Sequence, residues 1–327
     1  MDVSVVICTH NPQEDFLRRT LDGLKAQTLA KGRWEFILID NASKESLADK
    51  WDLSWQPAAR HVREDEIGLT AARLRGIRES KGELIVFVDD DNVLDSDYLT
   101  NALEIGTEWK VLGAWGGQSD PEFQKPPPDW VAPFLGMLAI RAVTKEIWSN
   151  DPNHLGTQPW GAGMCIRRAV AVHYSRTVRE DPVRKALGRT GNSLGSCEDI
   201  DLVQTCPELG FGFGLFPQLR LLHLIPPARL DEDYLLRIHE GTVTSLAILK
   251  AARGLAYPPP VPSTGRKLID LYHYLRMGRL DRRVWKSTQR AYQTAREVCR
   301  VHGFVPPIVE TANSRLGSNV FDNKSFD

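Results

Sequence analysis

The chain opens on a short, almost wholly apolar run, Val3-Ser4-Val5-Val6-Ile7-Cys8, which ends on the polar turn Thr9-His10-Asn11-Pro12. A run this short and apolar reads as a strand buried on both faces. Across residues 14–27, Phe16, Leu17, Leu21 and Leu24 recur at helical spacing. Residues 34–39 form a second apolar run, ending on Asp40-Asn41-Ala42-Ser43. After a stretch without period, residues 67–80 put Leu69, Ala72, Leu74 and Ile77 on or near one helical face. A third buried strand, residues 84–88, stops on Asp89-Asp90-Asp91-Asn92. The order strand, helix, strand, loop, helix, strand predicts an α/β domain with a Rossmann-like, mostly parallel central sheet and right-handed crossovers. All three strand ends are polar and should meet along one rim.

The pattern changes at Gly113. Gly116-Gly117 and Pro126-Pro127-Pro128 mark a long irregular passage. Trp160-Gly161-Ala162-Gly163 is a glycine-rich turn leading into a short apolar strand, and glycines there serve either a ligand's approach or a tight bulge. Residues 178–194 are polar and basic and read as a loop or short helix. Ser196-Cys197-Glu198-Asp199-Ile200-Asp201 starts a helix expected to run to residue 208, since acids favour a first helical turn. Residues 211–217 and 219–225 read as two strands, the second enclosing His223, a residue type more often a satisfied core histidine than a ligand. Residues 231–253 form a long amphipathic helix. The natural divisions are a sheet domain over 1–256, with halves 1–112 and 113–256, then a Pro-rich spacer and helical extension over 257–313. The polar tail 314–327 is expected to be disordered.

Charge and cysteine content narrow the function. The formal net charge of -1 over 327 residues supplies no field for nucleic acid. The five cysteines include no CxxC pair, which suits free buried thiols in a reducing compartment. The N-terminus shows no basic segment followed by a long apolar core, so neither a signal peptide nor a membrane span is expected, and the cytoplasm is the expected location. One segment stands apart: residues 266–300 carry ten Lys or Arg against three acids, interleaved with Tyr272, Tyr274, Leu275, Met277, Trp285 and Tyr292. It suits a helical hairpin with a solvated basic face, or a surface that meets an anionic membrane or a polyphosphate-linked acceptor.

The candidate chemistry lies at the strand ends. Three adjacent carboxylates, Asp89, Asp90 and Asp91, repel one another unless a cation or hydrogen-bonding ligand offsets the cost. Carboxylate oxygens suit Mg²⁺ or Mn²⁺, and ligands of open α/β sheets sit beyond the strands' carboxyl ends. The plain alternative is a solvated acidic turn that caps the next helix. Neither GxGxxG after the first strand nor GxxxxGK[ST] anywhere is present, so side chains and a metal ion would have to hold any nucleotide.

Taken together these motifs resemble the family 2 glycosyltransferases over about residues 3–241. Thr9-His10-Asn11-Pro12 is similar to the family's Thr-Tyr-Asn-Arg, and Asp40-Asn41-Ala42-Ser43 ends the second strand as in that family. Gly68-Leu69-Thr70-Ala71-Ala72-Arg73 is near its Gly-x-x-x-Ala-Arg-Asn-x-Gly. Asp89-Asp90-Asp91 matches its Asp-x-Asp, Trp160-Gly161-Ala162-Gly163 its acceptor-side turn, and Glu198-Asp199 its Glu-Asp motif. His10 in place of an aromatic residue and Leu74 in place of Asn are departures. The resemblance implies a GT-A fold with a C-terminal helical extension. It implies an inverting hexosyltransferase that moves sugar from a nucleotide-diphospho-sugar, with a UDP-sugar the first expectation, to a glycan or lipid-linked acceptor. Asp199 would be the general base. Thr9, His10, Asn11, Asp40, Arg73, Asp89 and Asp90 would bind the donor. Asp89, Asp91 and His223 would hold Mn²⁺ or Mg²⁺, and Trp160, Gly161, Gly163 and Glu198 would face the acceptor. Rival classes are a nucleotidyltransferase on a related sheet, which would want a basic Gly-rich loop after the first strand, and a non-catalytic sugar-nucleotide-binding module, which would not need Asp199 at the carboxylate rim.

Overall fold

The structure, a computed structural model, describes residues 1–191 and 193–304. Its elements run β1 (Val3–Thr9), α1 (Glu14–Lys25), β2 (Trp34–Asn41), α2 (Leu47–Lys50), β3 (Ala59–Glu64), α3 (Leu69–Glu79), β4 (Leu84–Val88), β5 (Asn92–Leu94) and α4 (Tyr98–Glu108). There follow β6 (Leu112–Phe123), β7 (Ile147–Ser149), β8 (Met164–Arg167), α5 (Arg168–Arg179), α6 (Pro182–Lys185), α7 (Glu198–Val203), β9 (Gly212–Ile225), α8 (Glu232–Ala252), α9 (Thr264–Arg276) and α10 (Arg279–Val301). The strands form one sheet in the order β3-β2-β1-β4-β8-β6-β9-β5, with β7 beside β9. β1, β2, β3 and β4 are mutually parallel, and β6 runs parallel to β9. Every residue of β2 and β4 is buried; β4 is an unbroken apolar run, while β2 is apolar apart from Glu35, which is paired with Ser4 and Arg60, and its polar end. One core layer packs α1 and α4 against the sheet, and a second packs α3 and α5 on the opposite face. Gly76 lets α3 lie close on β1, because a Cβ there would meet Val6 Cγ1 at 2.5 Å.

Several elements differ from expectation. The passage from Gly113 is not irregular throughout: it begins with β6, twelve residues long. Gly117 is needed there, since a Cβ would fall 2.0 Å from the Leu219 carbonyl, where β6 and β9 shift register between Gly117 and Gln118. The same shift absorbs Pro217, so the two strands expected around it are the single strand β9. The helix expected to reach residue 208 stops at Val203. α4, β3 and β5 were not expected, and part of the basic stretch 178–194 is α6.

The expected C-terminal helices are present as α9 and α10. α10 buries Ser287, Ala291, Ala295 and Cys299, a small-residue stripe at four-residue spacing, as it packs along α8. α9 buries nothing. No helix among the described residues is long and apolar enough to cross a membrane. The tail 314–327 and residues 305–313 lie outside the described residues.

Candidate active site

Strand register assembles the site. Thr9 of β1 pairs with Asp40 of β2, and Ile7 pairs with Val88, so the polar ends of β1, β2 and β4 lie side by side. β8 runs antiparallel to β4 with Met164 opposite Phe87, which brings the turn 160–163 to the carboxylates. β5 pairs with β9 at Asn92 and His223, and the Leu224 N–H donates to the Asp91 carbonyl at 2.9 Å. The cleft above this rim has a volume of about 870 Å³. Its walls carry Thr9, His10, Arg73, Asp89, Asp90, Asp91, Trp160, Gly161, Glu198, Asp199 and His223, all expected site residues. Asn11, Asp40 and Gly163 do not line it.

Those three residues hold the walls in place. The Asp40 carboxylate accepts from the Ser43 N–H at 2.9 Å and from Arg63 at 2.8 Å, and these bonds outweigh its burial to hold it below the usual carboxylate range. Asn11, at φ 48°, ties β1's turn to the next loop: its N–H donates to Ser43 Oγ and its side chain accepts from the Lys44 N–H. Gly163, at φ 72°, accepts the Tyr98 hydroxyl proton at 2.5 Å and has no room for a side chain. His10 donates from Nδ1 to the Asn41 carbonyl at 2.7 Å and faces Asn11 with Nε2. Asn41, not singled out from the sequence, also lines the cleft and accepts the Gly68 N–H at 2.8 Å, fixing the start of α3.

The three adjacent acids have three environments. Asp89 is the most open and lies 3.6 Å from Arg73 Nη2. Asp90 accepts the Thr9 hydroxyl; burial and the neighbouring Asp91 charge push its carboxyl up to about 7. Asp91 is buried, yet the Arg229 charge at 2.7 Å outweighs burial and holds it well below the usual carboxylate range, and His223 Nε2 lies 3.5 Å from it. Arg229 Nη1 also donates to His223 Nε2 at 3.0 Å, and His223 Nδ1 is buried without a partner among the described residues.

Asp91 and His223 make a donor set that fits a divalent ion. Two ligands each ~2.1 Å from one ion and near right angles lie about 3 Å apart, close to the spacing here. Asp89 faces Arg73 instead, and among the described residues no group of three or more His, Cys, Asp or Glu gathers at one point. Arg229 bridges the same two groups and so competes with an ion for the position.

Across the cleft, Arg73 is 4% exposed and Glu198 5%. Arg73 Nη1 donates to Glu198 Oε1 at 2.9 Å, and its guanidinium lies 5.5 Å from the centre of the Phe87 ring. Burial opposes its charge, but Glu198, Asp89 and Asp199 outweigh that and raise its pKa. Arg73 is thus an electrostatic bridge between the two carboxylate groups rather than a free cation. Burial pushes Glu198 up to about 7 against the pull of Arg73, and its Oε2 has no partner among the described residues. Asp199 accepts from the Gly161 N–H at 2.8 Å and from the Ile200 N–H at 2.7 Å. Asp201, two residues on, faces away: it is fully buried between Arg184 at 2.9 Å and Arg253 at 2.7 Å.

The sequence reading left out three cleft arginines as site residues: Arg229, Arg141 and Arg189.

Comparison with known proteins agrees with this arrangement. A 92-residue segment is 28% identical to Glycosyltransferase AglE of Haloferax volcanii, covering 27% of this chain and 30% of that protein, so the chain matches less than a third of that relative's length. The mannosyltransferase PcManGT of Pyrobaculum calidifontis, solved with GDP-Man and Mn²⁺, superposes with a TM-score of 0.52 at 17% identity, over 93% of this chain and 76% of that one. S. aureus TarS 1–349 in complex with UDP-GlcNAc gives 0.50 at 14% identity, over 93% and 84%. At such identities these two show the fold alone, the GT-A arrangement with its flanking and C-terminal helices. The family model for Glycosyl transferase family 2 matches residues 4–175, more than half of the chain, and the chain belongs to that family of glycosyltransferases.

Proposed function

We propose that this glycosyltransferase moves a sugar, with inversion, from a nucleotide-diphospho-sugar to a hydroxyl of a glycan or lipid-linked acceptor. The observation that carries this reading is that a single cleft joins the β4 carboxylates to Asp199 on α7, with Arg73 electrostatically linked to both. Residues 1–112 would hold the donor and 113–256 the acceptor. Asp91 and His223 would hold Mn²⁺ or Mg²⁺; when bound, the ion neutralises charge on the departing diphosphate. Thr9, His10 and the Asp89–Asp90 pair line the donor end, where Asp90 meets ribose hydroxyls. Asp199, oriented by two backbone N–H groups, takes the proton from the attacking acceptor hydroxyl at one carboxylate oxygen, on the side opposite the leaving group. Trp160 and Glu198 flank that hydroxyl. A second reading of the base rests on Glu198, whose raised pKa and unpartnered Oε2 suit proton transfer near neutral pH.

A UDP-sugar is the donor we propose first, and GDP-sugars are the direct competitor, since a fold neighbour binds GDP-Man. A thermal-shift panel of both nucleotides and their sugars, with and without Mn²⁺, tests the donor site, because a ligand of the native state raises apparent stability by mass action. One nucleotide class should stabilise the protein, more strongly with Mn²⁺, and Asp91→Ala should lose the metal-dependent part. Undiminished metal enhancement in that variant removes Asp91 from the ion site.

We place the enzyme in the cytoplasm with a reversible contact to anionic membrane through residues 266–300. In support, α9 exposes Leu268, Leu271, Tyr272 and Leu275 at i, i+3, i+4 and i+7, beside Arg266, Lys267 and Arg276.

A further inference from the structure

Four arginines line the cleft, and their partners differ. Arg73 is paired with Glu198, and Arg229 with Asp91. Arg141 has no carboxylate at salt-bridge distance among the described residues; its guanidinium Nη1 donates to the Gln158 carbonyl at 2.8 Å, and its Cζ lies 3.5 Å from the Trp160 ring centre. Its backbone is fixed by two hydrogen bonds to Ser119 of β6, at 2.9 and 3.1 Å. Burial pushes its pKa down to about 10 against the pull of Asp199. Arg141 is half-buried, with a carbonyl and a ring beside it but no counter-ion in contact among the described residues, and a site tolerates a partly desolvated cation of this kind where a ligand supplies the missing charge.

Position says which ligand. Trp160 precedes Gly161, whose N–H holds Asp199, so Arg141, Trp160 and the proposed base form one wall. The carboxylates at the donor end answer to other cations: Asp91 to Arg229 and Arg189, and Asp90 to Arg229. Arg141 therefore serves the acceptor side rather than the donor diphosphate. A guanidinium has five N–H donors in a planar fork, and the Gln158 carbonyl takes only part of that capacity.

We propose that Arg141, stacked on Trp160, is an oxyanion subsite: the acceptor carries a phosphate or carboxylate close to the hydroxyl that receives the sugar. This rests on the transferase reading above, in which Asp199 marks the acceptor side. The subsite would admit charged acceptors and disfavour neutral ones, because a neutral acceptor leaves the half-buried guanidinium without a counter-ion.

The test uses the full chain saturated with UDP or GDP and Mn²⁺, so that the donor phosphate positions are filled. Glycerol 3-phosphate, glucuronate and glycerol are then titrated calorimetrically. At least one anion should bind and glycerol should not, and the two anion arms tell phosphate from carboxylate. Arg141→Gln should weaken anion binding tenfold or more with nucleotide affinity intact. Arg141→Lys, which keeps the charge but loses the stacked fork, should weaken it severalfold and stands in if the glutamine variant fails to fold. Absence of anion binding, or binding untouched by both variants, overturns the subsite. If neither nucleotide binds, the transferase reading fails separately, and the same titration on nucleotide-free protein still decides the role of Arg141.

Discussion

Gly161→Ala is the smallest change that strikes both halves of the site. A Cβ at this position would lie 2.1 Å from Arg73 Nη2 and 2.9 Å from its Cζ and Nη1. An exposed arginine would swing aside at little cost, but this one is 4% exposed, bonded to Glu198 and placed against Phe87. Moving it far enough breaks the 2.9 Å contact to Glu198 or forces the 160–163 turn outward. The turn cannot move without disturbing the Gly161 N–H bond that orients Asp199. Overpacking of this kind costs ~1–3 kcal/mol. For a chain near this size the entropy of unfolding converts that to a fall in melting temperature of about 1.5–5 °C. Differential scanning calorimetry of nucleotide-free protein reads the loss, and transfer should fall by more than donor affinity because Asp199 is displaced. A variant with unchanged melting temperature and unchanged transfer would refute the claim that the glycine exists to let Arg73 through.

Two further outcomes follow from the geometry. Glu198 ionises near 7 in the fold against about 4.5 in the open chain, so the unfolded state binds fewer protons between those values. Its contribution to stability is complete below the lower value and lost as pH rises through 7, at up to about 1.4 kcal/mol per pH unit for one proton; Glu198→Gln should flatten the melting profile of nucleotide-free protein between pH 5 and 7, and an unchanged slope would show that another group titrates. Leu271→Glu on α9 should abolish low-salt sedimentation with anionic vesicles without shifting the melting temperature, since the side chain is 52% exposed, whereas equal sedimentation of both proteins would leave α9 without a membrane role.

The parallel half of the fold was legible because buried strands announce themselves. β1, β2 and β4 are apolar runs, broken only by Ser4 and Glu35, whose polar ends already carried Thr9, Asp40 and Asp89–Asp91. β6 was not legible, because Gly113, Gly116, Gly117 and Pro121 read as loop residues. The three glycines are in the strand because distant parts of the chain crowd it, Cys206 and Phe211 at Gly113, Pro159 at Gly116 and the Leu219 carbonyl of β9 at Gly117, a long-range cause that no local pattern carries. Residue types identified most of the cleft, but not what the charges are paired with. Arg73 was expected among the donor-binding residues, and its pairing with Glu198 and its place beside Asp89 were not foreseen. Asp40 was expected among the donor-binding residues, and its carboxylate is engaged by Arg63. Asp201 could be set aside from helical spacing alone, and its burial between two arginines agrees. Arg141 was invisible because the role proposed for it depends on stacking against Trp160, nineteen residues away across a passage without period.

The central claim is that Asp199 takes the acceptor's proton, and the most direct measurement compares Asp199→Asn with the unaltered protein in donor binding and sugar transfer. Asparagine keeps the shape and an acceptor oxygen for the Gly161 N–H but cannot accept the proton. Since asparagine can accept only one of the two N–H bonds that Asp199 holds, the account predicts a small fall in melting temperature, near-normal affinity for the nucleotide-sugar, and transfer reduced by ~10² or more, as for a lost general base. Transfer at the unaltered rate in Asp199→Asn, with transfer abolished in Glu198→Gln, would contradict it and assign the base to Glu198.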